Sequence, residues 1–374
     1  MRLIPIHMLQ PGMKLGKRIY NDEGMILLGE QVELTTNLIN RLGQLGLSYV
    51  YIHDPNTVDI EFPELLREET RIQAMKEIKT QFSMLSSSGT MRGYYPHLGK
   101  VFVGLMEKIL EDISSRQDVM IMLTGMQSMD HALYEHSLNV CIYSLVLGKA
   151  LGYDNKRLME LGLGALLHDI GKTQIPPHIL QKPGKLTKEE YDIVKNHTVY
   201  GFKLLKDEPG IPLISAHCAL QHHERMDGRG YPQGLVGPDI HDYGKLIALT
   251  DSYDAMTTNR IYQNALLPHQ AVEMLFAGSG TQYDQKMLEL FRDYAAIYPV
   301  GLTVELSTGE TAVIVRLHPE APQRPVVRII MDQEGNTLNV PYELDLFHRL
   351  SVMITGVMGE SSSVLSIAEQ PQFT

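Results

Sequence analysis

The sequence predicts a mainly α protein, with a central all-helical bundle, a small α/β module before it and a β-rich module after it. Three observations carry this. From about Val119 to Pro299, apolar residues recur at helical spacing in segments joined by Gly- and Pro-rich loops. The first 55 or so residues mix short strand-like runs with a single helix, and past Tyr298 the period changes to alternation. The expected division is an accessory or regulatory module over 1–120, a helical domain over 121–299, a β-rich module over 300–358 and a flexible tail over 359–374. A chain of 374 residues has room for two or three domains.

Lys17-Arg18-Ile19-Tyr20 and Met25-Ile26-Leu27-Leu28 flank Asn21-Asp22-Glu23-Gly24, which reads as a hairpin turn. Thr35 to Leu45 is patterned as an amphipathic helix ending near Gly46. Residues 64–84 are charged and helical, Ser86-Ser87-Ser88-Gly89 marks a break, and a second helix is expected from Leu98 to Ser115. After the central helices, Leu302–Leu306, the turn Ser307-Thr308-Gly309 and Thr311–Val315 form one hairpin. Val326–Met331 and Thr337–Val340 form another, turning at Glu334-Gly335.

Composition removes several function classes. A net charge of -11 argues against binding to DNA or RNA, which requires a broad basic surface. It does not exclude a small anion, because bound cations can reverse a local field. Cys141 and Cys218 are the only cysteines, so neither a disulfide framework nor a cysteine zinc site is available, which suits a reducing cytoplasm. No signal peptide or membrane span is expected. Ten of the fifteen histidines lie between His131 and His269, which points the chemistry to the middle third.

His168-Asp169 sits among Leu166, Leu167 and Ile170 at the end of an apolar helix that Gly171 is expected to terminate. An ionised aspartate there is costly unless it is paired or binds metal, and on this dipeptide alone a buried His-Asp hydrogen bond is an equal reading. His136 lies on the inward stripe with Leu133 and Val140, which by itself suits a satisfied core histidine. His197 follows a charged stretch, which by itself suits the surface. His222 and His223 are adjacent, and neighbours on a helix diverge by about 100°, so one ion can take both only where the helix ends. Asp251 and Asp254 lie one turn apart on an inward helix face. Together, five imidazoles and two carboxylates come from five segments without a thiolate, a donor set suited to iron, manganese, zinc, nickel or cobalt. They are too many for one four-coordinate ion and suit two cations sharing a carboxylate.

His136-Ser137-Leu138-Asn139-Val140, His168-Asp169-Ile170-Gly171-Lys172, Lys182-Pro183-Gly184, His197, His222-His223-Glu224-Arg225-Met226-Asp227-Gly228-Arg229-Gly230-Tyr231-Pro232 and Asp251-Ser252-Tyr253-Asp254-Ala255-Met256 resemble the HD-GYP family in order and spacing over roughly residues 125–300. The resemblance implies an HD-type bundle as the catalytic domain and two divalent ions, commonly iron or manganese. It implies hydrolysis of cyclic di-GMP by a metal-bridging hydroxide. One ion would take His136, His168, Asp169 and Asp251; the second would share Asp169 and add His197, His222 and His223. Some members hold a third ion through a glutamate four residues before the first histidine. Ala132 stands there, and Glu135 is out of register, so two ions and the linear product pGpG are expected.

The resemblance further implies that Lys172 contacts the scissile phosphate or leaving oxygen, with Lys172 and Asp169 as catalytic residues, and that Arg260 grips phosphate. Gly230-Tyr231-Pro232 would shape the substrate pocket and offer a docking surface for signalling proteins. Gln263 replaces a second phosphate-binding lysine. That departure keeps open another cyclic dinucleotide, such as cyclic GMP-AMP, or a catalytically weak binding module. His131, His178, His217, His241 and His269 match no metal position. A helix-rich N-terminal region is compatible with a homodimer.

Overall fold

The computed structural model describes residues 1–20, 26–45, 47, 49–60, 62, 65–87, 98–115, 132–182, 184–258 and 265–358. The start of the chain folds as two small antiparallel ribbons around one helix. β1 (Arg2–Pro5) pairs with β4 (Tyr49–Ile52), and β2 (Ile19–Tyr20) pairs with β3 (Ile26–Leu28). The expected hairpin therefore forms, while its Asn21–Gly24 turn lies outside the described residues. α1 (Thr36–Gln44) begins where the Thr35 hydroxyl accepts from the Leu38 amide, satisfying one of the free donors of the first turn. Ile4, Leu15, Leu34, Leu42 and Val50 give this unit its own core.

The helical body comprises α2 (Glu68–Ser87), α3 (Leu98–Ser114), α4 (Ala132–Ala150), α5 (Asn155–Leu167), α6 (Pro177–Leu180), α7 (Lys188–Lys195), α8 (His197–Leu205), α9 (Leu213–Gln221), α10 (Asp242–Thr257), α11 (Pro268–Ala277) and α12 (Gln285–Tyr294). α4 and α10 are buried nearly all round, which places them at the centre of the bundle rather than on its rim. Tyr143 of α4 meets Tyr253 of α10 edge-on at 5.7 Å, and both are buried. α2 and α3, which the sequence pattern groups with the N-terminal module, belong to the same core. Ile78, Phe82, Phe102, Met106 and Ile109 are buried in it, and Phe82 packs on Tyr134 of α4 at 5.9 Å. Burial stabilises each such side chain by roughly 1.5–3 kcal/mol, so these helices are structural parts of the bundle.

After α12 the chain builds a five-stranded sheet in the order β8 (Thr337–Asp345), β7 (Val326–Met331), β6 (Thr311–Arg316), β5 (Thr303–Leu306), β9 (Ile354–Val357). The two expected hairpins are β5–β6 and β7–β8, and Gly309 and Gly335 supply the positive φ that their turns require. β6 is buried on both faces: Ala312 and Ile314 join one cluster with Val304 and Val327, while Val313 joins Ile60, Val300 and Ile330 on the other. Arg328 anchors the sheet to the N-terminal unit through Asp59. Among the described residues no helix is long and apolar enough to cross a membrane.

Candidate metal centre

His168 caps the C-terminus of α5, and Asp169 precedes a 3-10 turn over Ile170–Gln174. Gly171 does not terminate α5, as its position suggested. The helix ends before it, and a Cβ on Gly171 would stand 1.9 Å from the carbonyl oxygen of His197. The glycine is there because the start of α8 crosses against this turn, which brings His197 beside Asp169. α9 stops at Gln221, so His222 and His223 fall at and beyond its end, where both rings can face one point. His136 comes from the first half of α4 and Asp251 from the middle of α10.

These seven residues form two sets. Asp169, His197, His222 and His223 each offer an atom within 4.8 Å of the others, as do His136, His168 and Asp251. Asp169 lies between the sets and turns one oxygen to each. Its Oδ1 is 3.4 Å from His197 Nε2 and 3.7 Å from His222 Nε2; its Oδ2 is 3.4 Å from His168 Nε2 and 3.8 Å from His136 Nε2. Asp251 Oδ1 is 3.0 Å from His136 Nε2 and 3.9 Å from His168 Nε2.

The opposite edge of four of the five rings is fixed. His168 Nδ1 donates to the Ala165 carbonyl and His197 Nδ1 to that of Val194, each at 2.7 Å. His222 Nδ1 lies 3.2 Å from the Cys218 carbonyl, and His136 Nδ1 lies 2.8 Å from Asp254 Oδ2. A carbonyl or carboxylate can only accept, so Nδ1 carries a proton in all four; in His168, His197 and His222 this leaves the Nε2 lone pair facing the cluster, the tautomer a metal requires, while His136 Nε2 also faces the Asp251 carboxylate. His168 Nε2 and Asp169 Oδ1 are buried polar atoms with no hydrogen-bond partner. Such orphans are costly in a core, and a cation at each set would satisfy both. The residues therefore fit a pair of metal ions.

Charge points the same way. Burial holds His197 down at about 4 and His223 down at about 3, and lowers His222 well below the ordinary histidine range. These rings are neutral at pH 7 and free to ligate. Burial would raise Asp169 and Asp251, yet Lys172 and His168 around the first and His136 beside the second hold both far below the usual carboxylate range. His136 is the exception: burial disfavours its cation, but Asp251 and Asp254 outweigh that and push it up to about 9.

Lys172 Nζ donates to Asp169 Oδ2 at 2.7 Å, which puts a lysine amine at the rim of the site. Glu135 points elsewhere, with its carboxylate 3.9 Å from Arg71, and belongs to neither set. Gly230, Tyr231 and Pro232 form a loop beside His223, with the Tyr231 ring stacked on the imidazole at 4.7 Å. Arg260 and Gln263 lie outside the described residues, as does His131. His178 and His241 are exposed, and His217 packs on Phe202.

The roles of two residues escaped the sequence reading. Asp254, 1% exposed, holds His136 and also accepts from Asn139 Nδ2 at 3.0 Å. Glu224, 3% exposed, accepts from the amides of Gln233 and Leu235 and so pins the loop that carries Tyr231. A carboxylate in an apolar stretch was the available signal, since burying one unpaired is costly.

A helical bundle with an adjacent His-Asp pair at the end of a buried helix, gathering five imidazoles about one aspartate, defines an HD-domain protein. Residues 120–287 match the HD domain family, and residues 303–363 match a KOW domain associated with HD domain. The chain carries an HD domain over residues 120–287, consistent with the HD-GYP family. It is similar to a cyclic di-GMP phosphodiesterase of Pseudomonas aeruginosa, 32% identical over 225 residues, covering 60% of this chain and 54% of that one. A cyclic di-GMP phosphodiesterase of Thermotoga maritima is 35% identical over 196 residues, covering 50% and 53%. A 3'3'-cGAMP-specific phosphodiesterase of Vibrio cholerae is 30% identical over 204 residues, covering 54% and 39%. The chain thus spans about half the length or less of these relatives.

Proposed function

We propose that the chain is a metal-dependent phosphodiesterase that hydrolyses cyclic di-GMP, mainly to linear pGpG. The observation that carries the reading is Asp169, whose two oxygens each face a separate set of imidazoles. His136, His168, Asp169 and Asp251 would hold one divalent ion, and Asp169, His197, His222 and His223 the other. Imidazole and carboxylate donors suit iron or manganese. When bound, two such ions supply Lewis acidity and water activation for an in-line displacement at phosphorus.

The protein's own groups have separate tasks. Asp169 stays ionised and fixes the spacing of the two halves. Lys172, at the rim, is positioned to bring positive charge to the phosphate oxygens on which charge grows in the transition state. Arg260 is assigned to grip a phosphate through its forked guanidinium. Gly230, Tyr231 and Pro232 wall the site next to His223. Glu135 is engaged toward Arg71 and no acid occupies position 132, which favours two ions over three and pGpG over GMP as main product.

The cyclic GMP-AMP relative and Gln263 keep a second substrate in view. Anaerobically purified protein, loaded with manganese or iron, is to be incubated with a panel of cyclic dinucleotides and the products resolved. Conversion of cyclic di-GMP to pGpG, abolished in Asp169→Ala, supports the reading. Preference for cyclic GMP-AMP replaces the substrate. Absence of both metal and turnover, with nucleotide binding unchanged in Asp169→Ala, defeats it.

A further inference from the structure

Four of the five imidazoles are fixed through Nδ1 by Asp254 or a backbone carbonyl. His223 differs. Among the described residues no hydrogen bond holds its ring, and it is the one of the five that is half-buried rather than buried. What lies against it is a set of rings: Tyr231 is stacked on it at 4.7 Å with the planes 28° apart, its neighbour His222 is tilted against it at 4.1 Å, and His197 stands edge-on at 5.1 Å. We propose that Tyr231 is a positioning residue for His223, the ring of the loop doing by stacking what a hydrogen bond does for the other four ligands. The inference rests on the two-ion reading and assigns the loop to one half of it, the set formed by Asp169, His197, His222 and His223.

The loop is built to hold that ring still. A Cβ on Gly230 would come within 2.6 Å of the His223 carbonyl oxygen and 2.5 Å of the Glu224 Cα, so only glycine lets the chain double back this tightly. The Tyr231 amide then donates to that same carbonyl at 3.2 Å, tying the two residues together through the backbone as well. Glu224 clamps the far side by accepting from Gln233 at 2.7 Å and Leu235 at 2.9 Å, and Arg225 pairs with Asp227. From α7, Tyr191 buttresses the outer edge of Tyr231 at 6.4 Å. None of these contacts reaches His136 or His168, so the loop bears on one ion position and leaves the other to Asp254.

The test uses the full chain, stripped by chelation and titrated with Mn2+ alone, followed by calorimetry and by electron paramagnetic resonance, in which a coupled pair differs from a single ion. Wild type is expected to take two ions and give the coupled signal. Tyr231→Phe keeps the ring and should match wild type. Tyr231→Leu should bind the first ion normally and the second about 10- to 100-fold more weakly, the usual cost of losing a residue that orients a ligand. His223→Ala marks the complete loss of the second ion. The normal first ion in Tyr231→Leu doubles as the check on folding. Tyr231→Leu binding both ions like wild type, or losing both equally, overturns the inference while leaving the two-ion reading intact. Wild type that binds no Mn2+ overturns that reading and this inference with it.

Discussion

Replacing Asp254 with alanine should weaken metal binding without touching a metal ligand. The carboxylate is buried, accepts from His136 Nδ1 at 2.8 Å and from Asn139 Nδ2 at 3.0 Å, and receives the Thr258 hydroxyl at 3.2 Å. Truncation removes the group that fixes the His136 tautomer and lets the ring turn, a loss that costs about 10- to 100-fold in metal affinity, or roughly 1.4–2.8 kcal/mol. Separately, buried donors left without an acceptor cost about 1–3 kcal/mol each in stability. The assay is Mn2+ titration of the metal-free protein, in wild-type and His136→Ala backgrounds, with thermal unfolding alongside. Asp254→Ala should weaken the ion beside His136, and in the His136→Ala background it should add little. Wild-type affinity in Asp254→Ala would refute the reasoning, and so would an undiminished loss in the His136→Ala background.

Metal affinity should also depend on pH. The metal-free His136 sits near 9, above the ordinary histidine value, so its charge stabilises the apo fold fully below about 6.5 and that contribution fades as pH rises through 9. Ligation displaces the proton, so affinity should climb up to about tenfold per pH unit from 7 toward 9 and then level off; a flat profile in that window counts against it. Gly171→Ala should destabilise by about 3 kcal/mol or more in thermal melts, because the new Cβ meets the His197 backbone at 1.9 Å. Gly104→Ala is the contrast: on α3, with nothing within 4 Å of the added methyl, it should raise stability by about 0.5–1 kcal/mol. Glu224→Ala should speed amide exchange at Gln233 and Leu235 while leaving exchange in α4 unchanged.

Much of the fold and the centre was legible because it depends on residue type and spacing. Alternation over 302–315 and 326–340 marked the hairpins, and the adjacent His222-His223 pair could serve one site only where a helix stops, as α9 does. Other features depend on contacts that spacing does not encode. Gly171 reads as a helix stop, yet its task is to admit the α8 backbone. α2 and α3 display an apolar stripe, but nothing local tells whether it meets its own module or the central bundle. The acceptors behind His168, His197 and His222 are main-chain carbonyls, which carry no signature in sequence. Asp254 was visible on the inward face of its helix, but its partner lies 118 residues away.

The most direct measurement is anomalous scattering from crystals of the manganese-loaded chain. Two peaks about 3.5–4 Å apart, one toward each oxygen of Asp169, are predicted. A single peak, or a cluster of histidines that takes up no ion at all, would contradict a centre built on that shared carboxylate.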